Sequence, residues 1–441
     1  MNSCHGIVAT RRIARPHLQW YLHWERPELR LRFNLEVGAR RREIAVTGTK
    51  ALIKAELLGW ARDRARVSVA DAAKTANVEP ETLTAWEAGD ESPTVSQLRN
   101  LATKYHFPLA LFYLPKPPAD FTPLRDFRRL PDTKDRTISA ELARQIRSAH
   151  ERRELAMELY EDLGETVRPF LLKASLKYAP EAVGEEVREF LGVNDAEQRK
   201  AAREDRAFDF WRRKLEEKGI MVFVASGTQG VNLKEMRGFA IARNQVPVIV
   251  INGRDNSQGG KCYTLLHELT HVMLGESALT NGDGGTTEEQ KIERFCDAVA
   301  AAALMPRDLM LSIPQVKSAG ERKWNDDELR SLANAIGVSR EAFLLRLVSL
   351  RRASWDFYMA RRTKFKDEYE AAEALKLMAP KKPVAIKRSI LLMSWNGRGF
   401  TRLVLRSYYD QRITLNDVSS YLGAKVRHIP ALERAAFQPA E

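Results

Sequence analysis

Over residues 1–47 the apolar positions follow no clear period, and Arg, Pro and Trp are scattered among them. That stretch reads as a basic, poorly ordered leader, with an arm touching DNA or RNA as the alternative. From Lys50 the pattern turns helical and punctuated. Leu52, Ala55, Leu58 and Ala61 keep helical spacing over Ala51–Arg64. Ser68 is placed to cap a short helix over Val69–Ala76, and Asn77 with Val78 forms a turn. A third helix spans Pro80–Ala88, with Leu83 and Trp86 inward and Gly89 as its stop. Pro93-Thr94 opens a fourth over Val95–His106, and Pro108–Leu114 closes the set. Five short helices with a tight turn between the second and third predict a helix-turn-helix domain over 50–114.

Pro115-Lys116-Pro117-Pro118 starts a linker and helical connection, 115–200, in which 137–164 and 180–219 read as Arg- and Glu-rich amphipathic helices, the second running on past its end. Strand signals follow at Ile220–Ala225, Gly238–Arg243 and Val246–Ile251, with Asn244-Gln245 where a hairpin turn is needed. Two helices come next, over about Lys261–Leu274 and Glu288–Ala303, and a helix pair lies in 326–350. Residues 201–352 therefore read as an α+β domain, a small sheet followed by helices. In the remaining tail, 353–441, the Lys-rich residues 365–385 look like a linker before a small helical end. The expected fold class is mainly α with an α+β core.

Composition refines this picture in three places. With 441 residues, 44% hydrophobic and 29% charged, the chain has room for two to three globular domains. The net charge of +13 suggests nucleic acid, but residues 1–50 hold ten Arg or Lys against four Glu, and the rest carries only a mild excess. Cys4, Cys262 and Cys296 make no disulfide framework, which points to a reducing compartment. Neither a signal-peptide core nor an apolar run of about 18 residues is visible, so the expectation is a cytoplasmic protein with no membrane partner.

The chemistry concentrates at His267-Glu268-Leu269-Thr270-His271. Residues four apart share a helix face, so both imidazoles can reach one Zn²⁺. Glu268, beside the first of them, can accept a proton from water at the metal. A chain with 8 His among 441 residues shows this pattern by chance roughly 1% of the time. The next helix offers Glu293 as third ligand and Asp297, one turn on, to fix the tautomer of a ligand histidine. Ile292, Phe295, Ala298 and Val299 surround these carboxylates with apolar residues, so each needs a partner. Cys296 is a rival third ligand, since thiolate binds zinc well; a small buried thiol is the alternative reading.

Tyr263-Thr264-Leu265-Leu266-His267-Glu268-Leu269-Thr270-His271, then Glu293-Arg294-Phe295-Cys296-Asp297 and Leu304-Met305-Pro306, resemble the ImmA/IrrE metallopeptidases. The resemblance covers about 205–350. Residues 50–114 separately resemble a Cro/C1-type helix-turn-helix, through Trp86-Glu87-Ala88-Gly89, Ser92-Pro93-Thr94 and Leu98. It implies a gluzincin-like active site holding zinc, or manganese in its place, and a protein substrate that is itself a helix-turn-helix repressor. The family often has Gly where Thr270 stands and commonly Asn where Asp297 stands; neither change removes a proposed ligand.

A Cro/C1-type domain reads DNA with its third helix. Here that helix carries Glu79, Glu81 and Glu87 with Thr82 and Thr84, and no Lys or Arg. Lys74, Arg99 and Lys104 on its neighbours are the candidate phosphate contacts, with Thr82 and Thr84 facing the bases. Docking onto a protein is the competing use of this domain. Two functions thus stand side by side. One is a zinc endopeptidase that controls transcription by cleaving a regulator, its substrate held extended along Val246–Ile251. The other is a DNA-binding regulator or antitoxin-like protein whose metal domain senses or scaffolds.

Overall fold

Helix α1 (Ala55–Ala65) buries Leu57, Leu58 and Ala61. Ser68 Oγ accepts from the Asp71 amide and starts α2 (Val69–Ala76), which stops where Asn77 turns left-handed, φ 56°. Helix α3 (Pro80–Ala88) has its proline in the first turn and ends at Gly89, φ 89°. Leu83 and Trp86 of α3 lie buried in the core with Leu98 and Leu101 of α4 (Val95–Tyr105). A 3₁₀ turn, Leu109–Tyr113, follows. The first helix starts later than its apolar spacing predicts. The Ala51 amide donates to Pro93 O at 2.8 Å, outside any helix. Leu52 is 90% exposed, so it does not belong to the buried face. This computed structural model describes residues 49–105, 107, 109–117, 125–126, 139–225, 231–275, 278–280, 287–378 and 387–437. The chain divides into two compact units, one ending at Pro117 and the other running from Pro118 to Glu441, with the short stretch Arg64–Val67 counted with the second.

The second unit begins with a short strand, β1 (Arg125–Asp126), and helices α5 (Ala140–Asp162), α6 (Pro180–Leu191), α7 (Asp195–Arg203) and α8 (Ala207–Glu216). Strands β2 (Met221–Ala225), β3 (Gly238–Ile241) and β4 (Val248–Asn252) come next, then α9 (Gln258–Leu274), β5 (Ala278–Thr280) and α10 (Thr287–Leu304). Two short helices, α11 (Arg307–Leu311) and α12 (Pro314–Lys317), lead to α13 (Asp326–Ile336) and α14 (Arg340–Ser349). Helix α15 (Trp355–Met378) precedes a group of four: α16 (Arg388–Asn396), α17 (Arg398–Tyr409), α18 (Leu415–Tyr421) and α19 (Ile429–Phe437). Residues 365–378, expected as linker, are thus helix; Phe365 is buried and anchors that stretch to the core.

The strands form one mixed sheet in the order β1-β5-β3-β4-β2. β2 runs parallel to β4, Met221↔Val248 through Ala225↔Asn252, and β3 runs antiparallel to β4, Gly238↔Ile251 through Ile241↔Val248. The antiparallel pair matches the strand signals, but no two-residue turn joins it. The connection runs over residues 242–247 because its backbone is committed elsewhere: Asn244 O accepts from Phe170 N at 2.6 Å and Gln245 O from Arg153 Nη2 at 2.9 Å. A second expectation fails outright. β4 has a neighbour on each edge, so no substrate strand can add along Val246–Ile251.

Both faces of β2, β3 and β4 are covered, which is why these three strands read as continuous apolar runs. Val222, Val224, Ala240, Ile249 and Ile251 pack into one core with Leu265, Leu266 and Leu269 of α9. Phe223, Phe239, Val248 and Val250 pack into a second with Leu142 and Ile146 of α5 and with Leu392, Phe400 and Leu403 of the C-terminal helices. Helix α10 is pinned at its C-terminal end. Gly184 of α6 lies so close that an added Cβ would sit 2.6 Å from Ala302 Cβ and 2.8 Å from Ala303 N. At its C-terminus, Arg188 Nη1 donates to Ala303 O at 2.8 Å, Gln198 Nε2 to Leu304 O at 2.8 Å and Arg346 Nε to Met305 O at 2.8 Å. These cationic and amide donors satisfy carbonyls that a helix end leaves open.

Candidate metal centre

Helix α9 is bounded by Ser257, whose Oγ accepts from the Gly260 amide at 3.0 Å, and by Gly275 at φ 76°. Between those caps the helix buries His267, Glu268 and His271. The i, i+4 spacing sets the two rings side by side, with Nε2 to Nε2 at 3.2 Å. Glu293, on the neighbouring α10, closes the group: Oε2 lies 3.3 Å from His267 Nε2 and Oε1 lies 3.3 Å from His271 Nε2. A tetrahedral ion with bonds of ~2.0–2.1 Å sets its ligand atoms about 3.3 Å apart. The two ring nitrogens and the two carboxylate oxygens thus lie edge to edge at 3.2–3.3 Å, a spacing that fits a zinc-sized divalent ion among them. The Cys296 sulfur is also close, its atom and those of His267 and His271 all lying within 4.8 Å of one another.

Asp297 stands behind His267, Oδ1 to Nδ1 at 2.9 Å. The Tyr263 hydroxyl donates to the same Oδ1 at 3.1 Å and contacts Asp297 O at 3.2 Å. Tyr263 enters the sequence reading only as the first residue of the motif, with no role of its own. Its place one helical turn before His267 was the available signal, and its acceptor lies on another helix, out of reach of pattern reading. Gly238, at the start of β3, is the second residue that sequence reasoning missed. An ideal Cβ there would stand 2.6 Å from Thr264 Cγ2 and 3.0 Å from Glu268 Oε1, so only glycine leaves Glu268 its room. Thr270 Oγ1 donates to Leu266 O at 3.0 Å within the helix, which keeps it out of the ligand set.

Electrostatics follow from burial and pairing. Burial pushes the Glu293 carboxyl up, but the two imidazoles facing it reverse this and hold it down at about 2. For His267, burial works to lower the pKa, and the carboxylates of Asp297 and Glu293 overcome it, leaving it well above 6.5. His271 is lowered, by burial first. Burial and the adjacent Asp297 raise Tyr263, which stays a donor. Burial likewise raises the Cys296 thiol, whose neighbours include Ile292 and Leu274.

In the first unit, Lys74, Thr84, Arg99 and Lys104 are exposed and Thr82 is half-buried. Glu87 does not share that surface. It faces α1 and pairs with Arg62, Oε1 to Nε at 2.7 Å and Oε2 to Nη2 at 3.0 Å. The acidic residues exposed at the start of α3 are therefore Glu79 and Glu81.

Residues 215–348 match a peptidase family described as the IrrE N-terminal-like domain, and residues 55–112 match a helix-turn-helix domain. The chain thus carries an N-terminal helix-turn-helix domain followed by a domain of a metal-dependent peptidase family. No curated protein matches it. Among the described residues, no helix is long and apolar enough to cross a membrane.

Proposed function

We propose that this chain is a zinc-dependent endopeptidase, able to use manganese, with His267, His271 and Glu293 as metal ligands and Glu268 as general base. The observation that carries the reading is the convergence of both imidazole Nε2 atoms and both Glu293 oxygens, whose spacings of 3.2 and 3.3 Å suit one small divalent ion. Such an ion, when bound, acidifies water and polarises a peptide carbonyl. Glu268 follows the first ligand by one residue, is fully buried, and is given space by Gly238. It takes the proton of the attacking water and returns it to the leaving amine. Asp297 accepts from His267 Nδ1–H, which turns the Nε2 lone pair toward Glu293 and His271. Cys296 serves as a packing thiol, since burial disfavours its thiolate.

The substrate we propose is a regulatory protein bearing a helix-turn-helix, cleaved to change transcription. The helix-turn-helix domain on the same chain supports this, because such domains pair with one another. It also supports DNA as a second partner through Lys74, Thr82, Thr84, Arg99 and Lys104, and the inward turn of Glu87 removes one acid from that surface. The free thiols of Cys262 and Cys296 favour the cytoplasm. Metal analysis tests the site. The purified chain should hold about one transition metal ion, and His267→Ala or His271→Ala should lose it. Unchanged metal content in both variants would refute the assignment.

A further inference from the structure

Strand β5 lies at the place where a peptide chain would meet Glu268. Gly238, which touches Glu268, pairs in register with Thr280 of β5. Helix α9 packs beneath β3 and β4, so β5 extends the sheet on the side beyond β3. An exposed strand edge there offers unpaired N–H and C=O groups to an extended polypeptide. That edge is already taken. Arg125 pairs with Ala278 and Asp126 with Leu279, parallel to β5. The occupant comes from the stretch of chain that follows the helix-turn-helix domain in sequence.

We propose that the Arg125–Asp126 strand is a built-in occupant of the peptide-binding edge, and that a protein substrate must displace it to pair with β5. This rests on the peptidase reading of the site and adds its regulation. The ladder is two residues long, as is that of β5 with β3, against five for β2 with β4; among the described strands β1 is paired on one side only and β5 on both, so β1 is released more readily than β5. A peptide that needs the free edge then binds with an affinity reduced by the fraction of time the edge is open.

The test uses the full chain in a Glu268→Gln background, so that binding is read without turnover. The probe is a fluorescent peptide with the sequence of residues 120–132 of this chain. Arg125→Pro with Asp126→Pro removes whichever of the two amides faces β5 and breaks the strand there. The double variant should bind the probe about 10-fold more tightly, as for an edge open a tenth of the time. Its amides at Ala278–Thr280 should exchange faster than in the parent and regain protection when the probe is added. A probe carrying the same two prolines should not bind. Equal affinities, or exchange at 278–280 unchanged by the prolines, would overturn the proposal. So would self-cleavage within 120–132 of the Glu268-intact chain, which would make the segment a substrate. Since none of the binding arms needs hydrolysis, failure of the peptidase reading is seen separately, in activity and metal content.

Discussion

A single oxygen, Asp297 Oδ1, meets both His267 Nδ1 at 2.9 Å and the Tyr263 hydroxyl at 3.1 Å. That contact leaves Nε2 as the imidazole nitrogen that faces Glu293 and His271. Asp297→Ala should therefore lower metal affinity by about 10–100-fold, the usual loss for an outer partner of a ligand histidine. Asp297→Asn keeps an acceptor oxygen and should recover most of it, and Tyr263→Phe should cost less than Asp297→Ala. Competition against a chelator measures all three, and equal affinity in Asp297→Ala and the parent would count against the role. That His267, Glu268 and His271 would share one helix face was legible from their spacing. The approach of Glu293 was legible only through the apolar residues around it. Tyr263 and Gly238 were not, because each acts on a residue from another element.

At the scale of elements, the metal position depends on how α10 is held against α9. Gly184 permits the close approach of α6, and Arg188, Gln198 and Arg346 hold the last carbonyls of α10. Gly184→Val should force α10 outward, destabilise the domain by about 1–3 kcal/mol and weaken metal binding by moving Glu293. A chemical-denaturation midpoint and metal titration together check this; a parent-like midpoint would show that the contact yields without cost. The two long helices of the site were plain in the sequence, although the first starts at Gln258, ahead of the expected Lys261. The strand pairing was less so. A two-residue strand such as β1 has no period to detect, and the wide 242–247 connection is fixed by Phe170 and Arg153, which are distant in sequence. Helix α15 was missed in part because its Lys-rich stretch is polar on most sides, with Phe365 as its buried anchor.

For the whole molecule, the peptidase match ends at residue 348 while the sheet needs residues beyond it. Leu392, Phe400, Leu403 and Val404 cover the face that carries Phe223, Phe239 and Val250. Each large side chain uncovered forfeits roughly 1.5–3 kcal/mol of burial. A chain ending at Arg351 should accordingly be insoluble or unfolded, whereas a soluble, metal-loaded product would show that the C-terminal helices are dispensable. That the chain ends in helices was visible in the sequence; their place on the sheet was not, since nothing local links them to β2. The central claim, a metal-centred hydrolytic site, is tested most directly by Glu268→Gln, assayed for both metal content and peptide hydrolysis. The account predicts a full metal complement with hydrolysis reduced 10²–10⁴-fold, as expected when a general base is removed and the ligands remain. Full metal with a rate within about tenfold of the parent, well short of that range, would contradict it.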